Sequence, residues 1–467
     1  MNLWMAVMRD LELVMNDHER IFDAWAEGGV DGLAIGPLAF SIGTLGKGGL
    51  PDDDLTDGVA VSPTSAGGPP IAVFDPNPSV YKRFDVEPPA PPDHAMSEQR
   101  VLLEKTLRAA KDRGFSVLII YADSGAGPGG TGHHFEDEKS MRARLARAVD
   151  TLEQFPMADG AIMDGPEWGY EITVGHMNRR SYIFDDLPDS VAPLCARLGY
   201  DYQALVGARD RLYGLLHNLD TRRVRLHSSG GLLGGFHLLG ADPDLLAWMN
   251  FKVDSLTAFF RFMREGLAAE VNRPIEVGVG PRTPVFAPMC GYDAARLAEF
   301  MDFLLPKFYF WHRGFDGFVG TIHRYVETLC QWNVGLSVND AFQVVQALFG
   351  TLFTEVQEMV DFESVLSPAF YEKTVKVETE RSIVAVSDPQ RLVPWLETGR
   401  HPHDGDPMSA GDLRQLLLAA KEGGLQRFLF HHMGHLTPAE WTVISDVCGQ
   451  RWKPATSSYQ PADMPVM

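Results

Sequence analysis

Short apolar runs alternate with amphipathic stretches along nearly the whole chain, and their spacing predicts strands and helices in turn. Leu3 to Met8 reads as a strand. Asp17 to Glu27 reads as a helix with Ile21, Phe22 and Trp25 on one face, stopped by Gly28 and Gly29. Gly32 to Phe40 is the next predicted strand. Residues 41–96, rich in Gly, Pro, Asp and Ser, read as a long loop with a short strand candidate at Ile71 to Phe74. A loop that long inside a compact chain is usually functional. Ser97 is placed to cap a helix running to Arg113, followed by an apolar strand from Phe115 to Ala122 and a glycine-rich segment from Asp123 to His134. A helix over Glu138 to Phe155 leads into a strand over Gly160 to Asp164.

Residues 172–270 are mostly helical in pattern, with Tyr202 to Leu219 the clearest helix. Beyond them the pattern predicts strands at Ile275 to Gly280 and Leu305 to Trp311, with a helix over Ala294 to Phe303 between the two. Helices follow at Gly317 to Cys330, Asn339 to Val360 and Ala369 to Arg381. Ile383 to Val386 and Leu392 to Leu396 compete for the seventh strand. A helix at Asp412 to Ala420, a strand at Arg427 to His431 and a helix at Pro438 to Cys448 complete the chain.

Strand–helix alternation on this scale predicts an α/β fold, a parallel sheet covered by helices. The number of units approaches the eight that close a (β/α)8 TIM barrel. The expected layout is a single barrel domain over residues 1–467, with residues 172–270 as a helical insertion after the fourth strand. An open doubly wound parallel sheet is the alternative. The barrel is favoured because polar or aromatic residues follow nearly every strand: Arg9 and Asp10, Asp123, Asp164 to Trp168, Arg282, His312 to Asp316, Glu397, and His431 with His432. In a barrel all of these meet at one mouth, whereas in an open sheet only those near the switch point would.

Composition changes this picture little and charge narrows it. The chain has 467 residues, 45% hydrophobic and 22% charged, an ordinary globular balance. Its net charge of −21 argues against nucleic acid as a partner, since an acidic surface repels phosphates. No apolar run approaches the roughly 20 residues of a membrane span, so no membrane partner is expected. The first ten residues carry neither a basic leader nor a small-residue cleavage site. The expectation is therefore a cytoplasmic protein or one whose signal has been removed. Cys195, Cys290, Cys330 and Cys448 lie far apart and read as isolated thiols. The Gly125-x-Gly127-x-x-Gly130 match is a poor dinucleotide fingerprint, because Pro128 sits inside it and no apolar helix start follows.

The segment richest in chemistry is Asp164-Gly-Pro-Glu167-Trp168-Gly-Tyr170-Glu171. A buried strand here delivers carboxylates and aromatic rings onto a strand-end loop. Sugar chemistry uses such a set: carboxyl groups for proton transfer or attack, and flat rings to stack on a pyranose. The bland alternative is a turn whose acids cap backbone amides. Glu397 is the partner carboxylate if Leu392 to Leu396 is the penultimate strand. Trp311, His312, Arg313 and Asp316 form a third cluster, in which Asp316 is equally placed to cap the following helix. His431, His432 and His435 suggest a metal. Neighbouring strand residues point to opposite faces, however, and no H-E-x-x-H occurs, so neither a metal nor a cofactor is expected.

With these residues the chain resembles the (β/α)8-barrel glycoside hydrolases, above all those with a catalytic Glu after the fourth strand and a nucleophilic Glu after the seventh. The resemblance implies Glu167 as general acid/base and Glu397 as nucleophile, with Pro166 standing where that group has Asn. A second group of barrel glycosidases would make Asp164 and Asp316 the pair. The implied activity is cleavage of a glycosidic bond in a carbohydrate substrate. Trp168, Tyr170, Trp311, His312, Arg313, Asp123, Arg9 and His432 would shape the sugar site. A metal-dependent hydrolase using the histidines and a carbohydrate-binding barrel without turnover are the alternatives. The sequence leaves the oligomeric state open.

Overall fold

The structure is a computed structural model. It describes residues 1–7, 11–36, 75–89, 97–122, 137–173, 182–311, 317–350, 356, 358–398, 408–430 and 436–457. Eight parallel strands form its centre: β1 (Asn2–Val7), β2 (Val30–Ile35), β3 (Ser116–Ala122), β4 (Gly160–Asp164), β5 (Glu276–Val279), β6 (Phe303–Leu304), β7 (Trp395–Leu396) and β8 (Arg427–Phe430). The ladder runs β6-β5-β4-β3-β2-β1-β8-β7. Its two ends meet, because Leu304 bridges Leu392 and Lys307 bridges Trp395, both in parallel. The Val393 and Trp395 amides donate to the carbonyls of Leu304 and Pro306, and the Phe308 amide donates to that of Trp395. The fold is therefore the expected eight-stranded α/β barrel rather than the open sheet.

Period-two alternation sorts the strand residues between two cores. Trp4, Ala6, Ala34, Leu118, Ile120, Ile162, Leu305, Val393, Trp395 and Leu429 pack inside the barrel. Their neighbours Met5, Val7, Ile35, Val117, Ile119, Met163 and Phe430 face the surrounding helices. Filling so narrow an interior takes glycine as well as bulk. A Cβ on Gly32 would run into the Trp4 indole, so the ring that fills the barrel depends on the missing side chain of the next strand.

The main covering helices are α1 (His18–Glu27), α2 (Ser97–Asp112) and α3 (Glu138–Gln154), which alternate with the first four strands. In α1, Ile21, Phe22 and Trp25 are buried as the periodicity requires. Between β4 and β5 come α4 (Ala192–Leu198), α5 (Tyr202–Leu216), α6 (Thr221–His227), α7 (Gly231–Leu238) and α8 (Pro243–Glu270). Then follow α9 (Ala294–Ala298), α10 (Phe318–Trp332), α11 (Val338–Phe349), α12 (Val377–Val386), α13 (Ala410–Glu422) and α14 (Pro438–Cys448). Among the described residues no helix is long and apolar enough to cross a membrane.

Several boundaries differ from the sequence expectation, each for a local reason. The sixth strand is Phe303–Leu304 and not Leu305 to Trp311, although the Leu305 and Lys307 amides still bond back to Val279 and Pro281. Pro306 has no N–H for the ladder, and regular pairing stops there. The helix expected to reach Val360 ends at Phe349, where Gly350 turns left-handed at φ 66°. Ile383 to Val386 is helix, the end of a continuous run through Pro368–Phe370, a π-helical Tyr371–Lys376 and Val377–Val386. The competing stretch therefore supplies the seventh strand. Inside the expected long loop, Pro78–Arg83 is a short helix whose cap, Asn77, accepts from the Ser79 amide.

Candidate active site at the C-terminal ends of the strands

The alternation that fills the barrel continues to its rim. Ile162 points inward and Asp164, two residues on, ends β4 on the same side. Leu305 leads in the same way to Lys307, and Val393 and Trp395 lead to Glu397. Asp164 Oδ1 lies 3.3 Å from Lys307 Nζ, with the two side chains 23% and 11% exposed. Glu397 is 2% exposed and so belongs to the interior and not to an outer surface loop. Gly280, just past β5, lies against Asp164 at this part of the rim. A Cβ there would lie 3.3 Å from Trp395 Nε1 and 3.5 Å from Asp164 Oδ1. The Trp395 indole thus forms a floor beneath the carboxylates.

Glu167 sits on the same loop as Asp164 in a different setting. Both its oxygens accept from Arg282, through Nε and Nη2. The Arg282 guanidinium lies 5.6 Å over the Tyr170 ring. A two-point pair of this kind fixes direction as well as charge, and it occupies the oxygens that a proton donor would turn toward substrate.

Three surrounding elements hold the β4 loop. The Gly165–Pro166 peptide is cis, and Tyr292 Oη donates to the Pro166 carbonyl at 2.8 Å. The Trp168 amide donates to the Cys290 carbonyl, and its indole N–H donates to Ser255 Oγ on α8 at 2.9 Å. Gly169 is held at both ends of its peptide. Its N–H donates to Asp186 Oδ1 at 2.6 Å, and its carbonyl accepts from Lys252 Nζ at 2.7 Å. Lys252 and Asp186 form a fully buried ion pair. Burial pushes the Asp186 carboxyl up to about 6 against the pull of Lys252. Burial also lowers Lys252, which Asp186 partly offsets. On α10, Tyr325 Oη donates to the Tyr170 carbonyl, while Thr321 Oγ1 and Arg324 donate to the buried Glu171 carboxylate.

Of the residues expected in the site, the structure brings Asp164 and Glu397 to the inner rim and sets Glu167 beside them on Arg282. Trp168 and Tyr170 are corrected: they are 0% and 1% exposed, pack on Phe251 and Phe286, and belong to the core under the loop, not to an open sugar-stacking surface. Their loop doubles back into the helices, and apolar rings follow the burial. Trp311 is likewise buried, at 4%. Arg9, Asp123, His312, Arg313, Asp316 and His432 lie outside the described residues. So do the other histidines considered for metal, together with His401 and His403, whose H-x-H spacing sits just beyond Glu397. Among the described residues no group of three or more His, Cys, Asp or Glu is placed to hold a metal ion.

Sequence reasoning did not single out Lys307, Lys252 or Asp186, and it placed Arg282 after a strand without giving it a role. A usable signal existed for the first, a lone lysine two residues beyond an inward leucine in an otherwise apolar run. Lys252 and Asp186 carry no comparable signal, since they lie 66 positions apart in the helical segment and meet only through the fold.

No family model matches the chain, and no curated protein does. Among solved structures, the chain is similar to the glycoside hydrolase domain of PgaB (BpsB) from Bordetella bronchiseptica. The identity is 12% and the TM-score 0.49, over 97% of this chain and 100% of that one. It is also similar to the chitinase RmChi1 from Rhizomucor miehei (9%, TM-score 0.41, 96% of this chain and 100% of that one). A third is the spore cortex-lytic enzyme SleL from Bacillus megaterium (9%, TM-score 0.40, 95% of this chain and 73% of that one). The solved structures that this chain is similar to thus include glycoside hydrolases and chitinases, at a likeness confined to overall layout.

Proposed function

We propose that this chain is a glycoside hydrolase-like enzyme that cleaves a glycosidic bond with carboxylates at the barrel mouth. One observation carries the reading. Asp164, paired with Lys307, and the enclosed Glu397 project from the C-terminal ends of β4 and β7 on the inner face, above Trp395. The C-terminal face is where barrels of this architecture place their chemistry. A pair of carboxyl groups flanking the scissile bond is what an oxocarbenium-like transition state requires.

In this assignment Asp164 is the negative group that attacks the anomeric carbon, or draws a proton from the attacking water, with Lys307 accompanying its charge. Glu397 hands a proton to the departing oxygen. Glu167, locked to Arg282, positions the loop and presents a fixed dipole to the substrate hydroxyls. The alternative role for Glu167, as acid/base with Glu397 as nucleophile, needs the Arg282 pair to open.

The test is release of reducing ends from a panel of oligosaccharides and aryl glycosides by the wild type, Asp164→Asn, Glu397→Gln and Glu167→Gln. Loss of about 10²–10⁴-fold in turnover is expected for Asp164→Asn and Glu397→Gln, with a smaller loss for Glu167→Gln. Tight oligosaccharide binding by the wild type without product release would make the barrel a binding protein. Activity abolished by a chelator and restored by a metal would assign it to the metal-dependent hydrolases.

A further inference from the structure

The Asp186–Lys252 ion pair is a demanding way to fill a core. Lys252 is 0% exposed and Asp186 2%. Two charges taken out of water need close compensating contacts, and apolar side chains of similar volume often hold a core as well or better. Packing alone therefore does not account for the pair, whereas its contacts do. The Lys252 ammonium carries three protons, and three oxygens surround it: Asp186 Oδ2, the Gly169 carbonyl at 2.7 Å and the Met289 carbonyl at 3.2 Å. Gly169 belongs to the β4 loop, just beyond Glu167, and Met289 to the segment after β5 that begins with Arg282. One lysine thus ties together the two loops whose side chains, Glu167 and Arg282, pair at the mouth.

Asp186 closes the grip from the other side of the same peptide. Its Oδ1 accepts from the Gly169 N–H at 2.6 Å. Backbone pairing brings Asp186 there, since the Ile183 amide donates to the Glu171 carbonyl at 2.8 Å. Glycine makes the approach possible. A Cβ on Gly169 would lie 2.7 Å from Asp186 Oδ1 and 2.8 Å from the Tyr182 carbonyl oxygen. Gly291, at φ 88°, lets the β5 segment come as near to α8, where a Cβ would lie 2.7 Å from the Lys252 carbonyl oxygen. Bonds to charged partners at both ends fix the Gly169 peptide in direction as well as distance.

We infer that Asp186 and Lys252, both in the helical insertion between β4 and β5, are positioning residues for the barrel mouth: they hold the Gly169 peptide against the Met289 carbonyl and so keep Glu167, on the loop that begins at Asp164, in register with Arg282. The kinetic consequence rests on the glycosidase reading above; the grip on the loop does not.

The test compares the wild type, Lys252→Met, Asp186→Asn and the double variant Asp186→Leu with Lys252→Met. The double variant leaves no unpaired charge in the core, so its urea midpoint should lie above that of Lys252→Met. Its loop nevertheless stays without the grip. Its kcat on 4-nitrophenyl glycosides should fall about 10–100-fold, the effect of a displacement of about 1 Å, with KM held within about twofold. Deuterium uptake read by mass spectrometry should quicken over residues 165–171 by about tenfold or more, and keep the wild-type rate in β1 and β8. Asp186→Asn keeps the shape and an acceptor for the Gly169 N–H but cannot balance the lysine charge. It should show the same two effects in smaller measure, and it carries the test if the double variant does not fold.

Turnover that returns together with stability in the double variant would overturn the positioning role and leave the pair a matter of packing. Wild-type uptake over 165–171 in the folded variants would overturn it too. If the wild type turns over none of the glycosides, the glycosidase reading falls, and uptake over 165–171 decides the grip by itself.

Discussion

Replacing Lys252 by Met removes one member of a fully buried ion pair and keeps nearly the same shape. Three groups lose their partner at once: the Asp186 carboxylate, and the carbonyls of Gly169 and Met289, which accept from Lys252 at 2.7 and 3.2 Å. Breaking a buried pair from one side costs about 3–5 kcal/mol, because the surviving charge stays desolvated. The orphaned carbonyls place the expected loss in the upper part of that range.

The pH dependence identifies the cause. Asp186 in the folded protein sits at about 6, above its ordinary 3.8. Folding therefore favours its protonated form. That contribution is complete below about 3.8 and is lost as pH rises through the folded value. Removing Lys252 takes away the interaction that lowers Asp186, so in the variant the loss shifts above 6. The penalty of Lys252→Met should accordingly be largest at pH 8 and shrink toward pH 5. Urea unfolding of both proteins across that range, followed by tryptophan fluorescence, measures it. A penalty below about 1 kcal/mol at pH 8, or one independent of pH, would refute the account of this pair.

Other outcomes follow from the same geometry. Gly280→Ala places a methyl group 3.3 Å from Trp395 Nε1 and 3.5 Å from Asp164 Oδ1. It should reduce kcat/KM on any glycoside substrate by about tenfold or more, with little change in the urea midpoint; unaltered kinetics would remove Gly280 from the site. Trp168→Phe deletes the indole N–H bond to Ser255 and leaves Ser255 Oγ without that donor. Stability should fall by about 1–2 kcal/mol while oligosaccharide affinity by calorimetry holds, since the ring is buried; a large loss of affinity at full stability would return Trp168 to the sugar site. Arg282→Met removes both donors to Glu167 and should lower turnover by loosening the β4 loop, and wild-type turnover in the variant would show that the Glu167–Arg282 pair is only structural. Gly32→Ala forces the Trp4 indole to move and should destabilise by about 1–3 kcal/mol, read as a lower melting temperature.

Much of the architecture is a local matter and was readable as such. Gly160–Asp164 and Pro438–Cys448 have the bounds their patterns indicate, and the strand–helix rhythm already implied a parallel sheet. Period-two alternation even forecasts the rim, because an acid two residues beyond an inward apolar side chain must share its face, as Asp164 follows Ile162. Local pattern was insufficient where two segments had equal claims. Ile383 to Val386 and Leu392 to Leu396 are both apolar and short, and only closure of the sheet, through Leu392 on Leu304 and Trp395 on Lys307, selects the second.

The sequence by itself determined the residue types near the mouth, the order of the strands along the chain and the acidic balance. Tertiary structure decided which of those residues meet. Glu167 and Arg282 are 115 positions apart, and Asp186 and Lys252 belong to different helical turns of the segment between β4 and β5. The aromatic rings of the β4 loop look from their spacing like a sugar platform, yet they are drawn into the core. The physical reason is that hydrogen bonds and apolar burial act on distances in space, and a one-dimensional pattern records only the facing of each residue within its own strand or helix. Pairing between distant segments is set by how the whole chain closes, and at this site closure turned Trp168 inward and left Asp164, Lys307 and Glu397 at the rim.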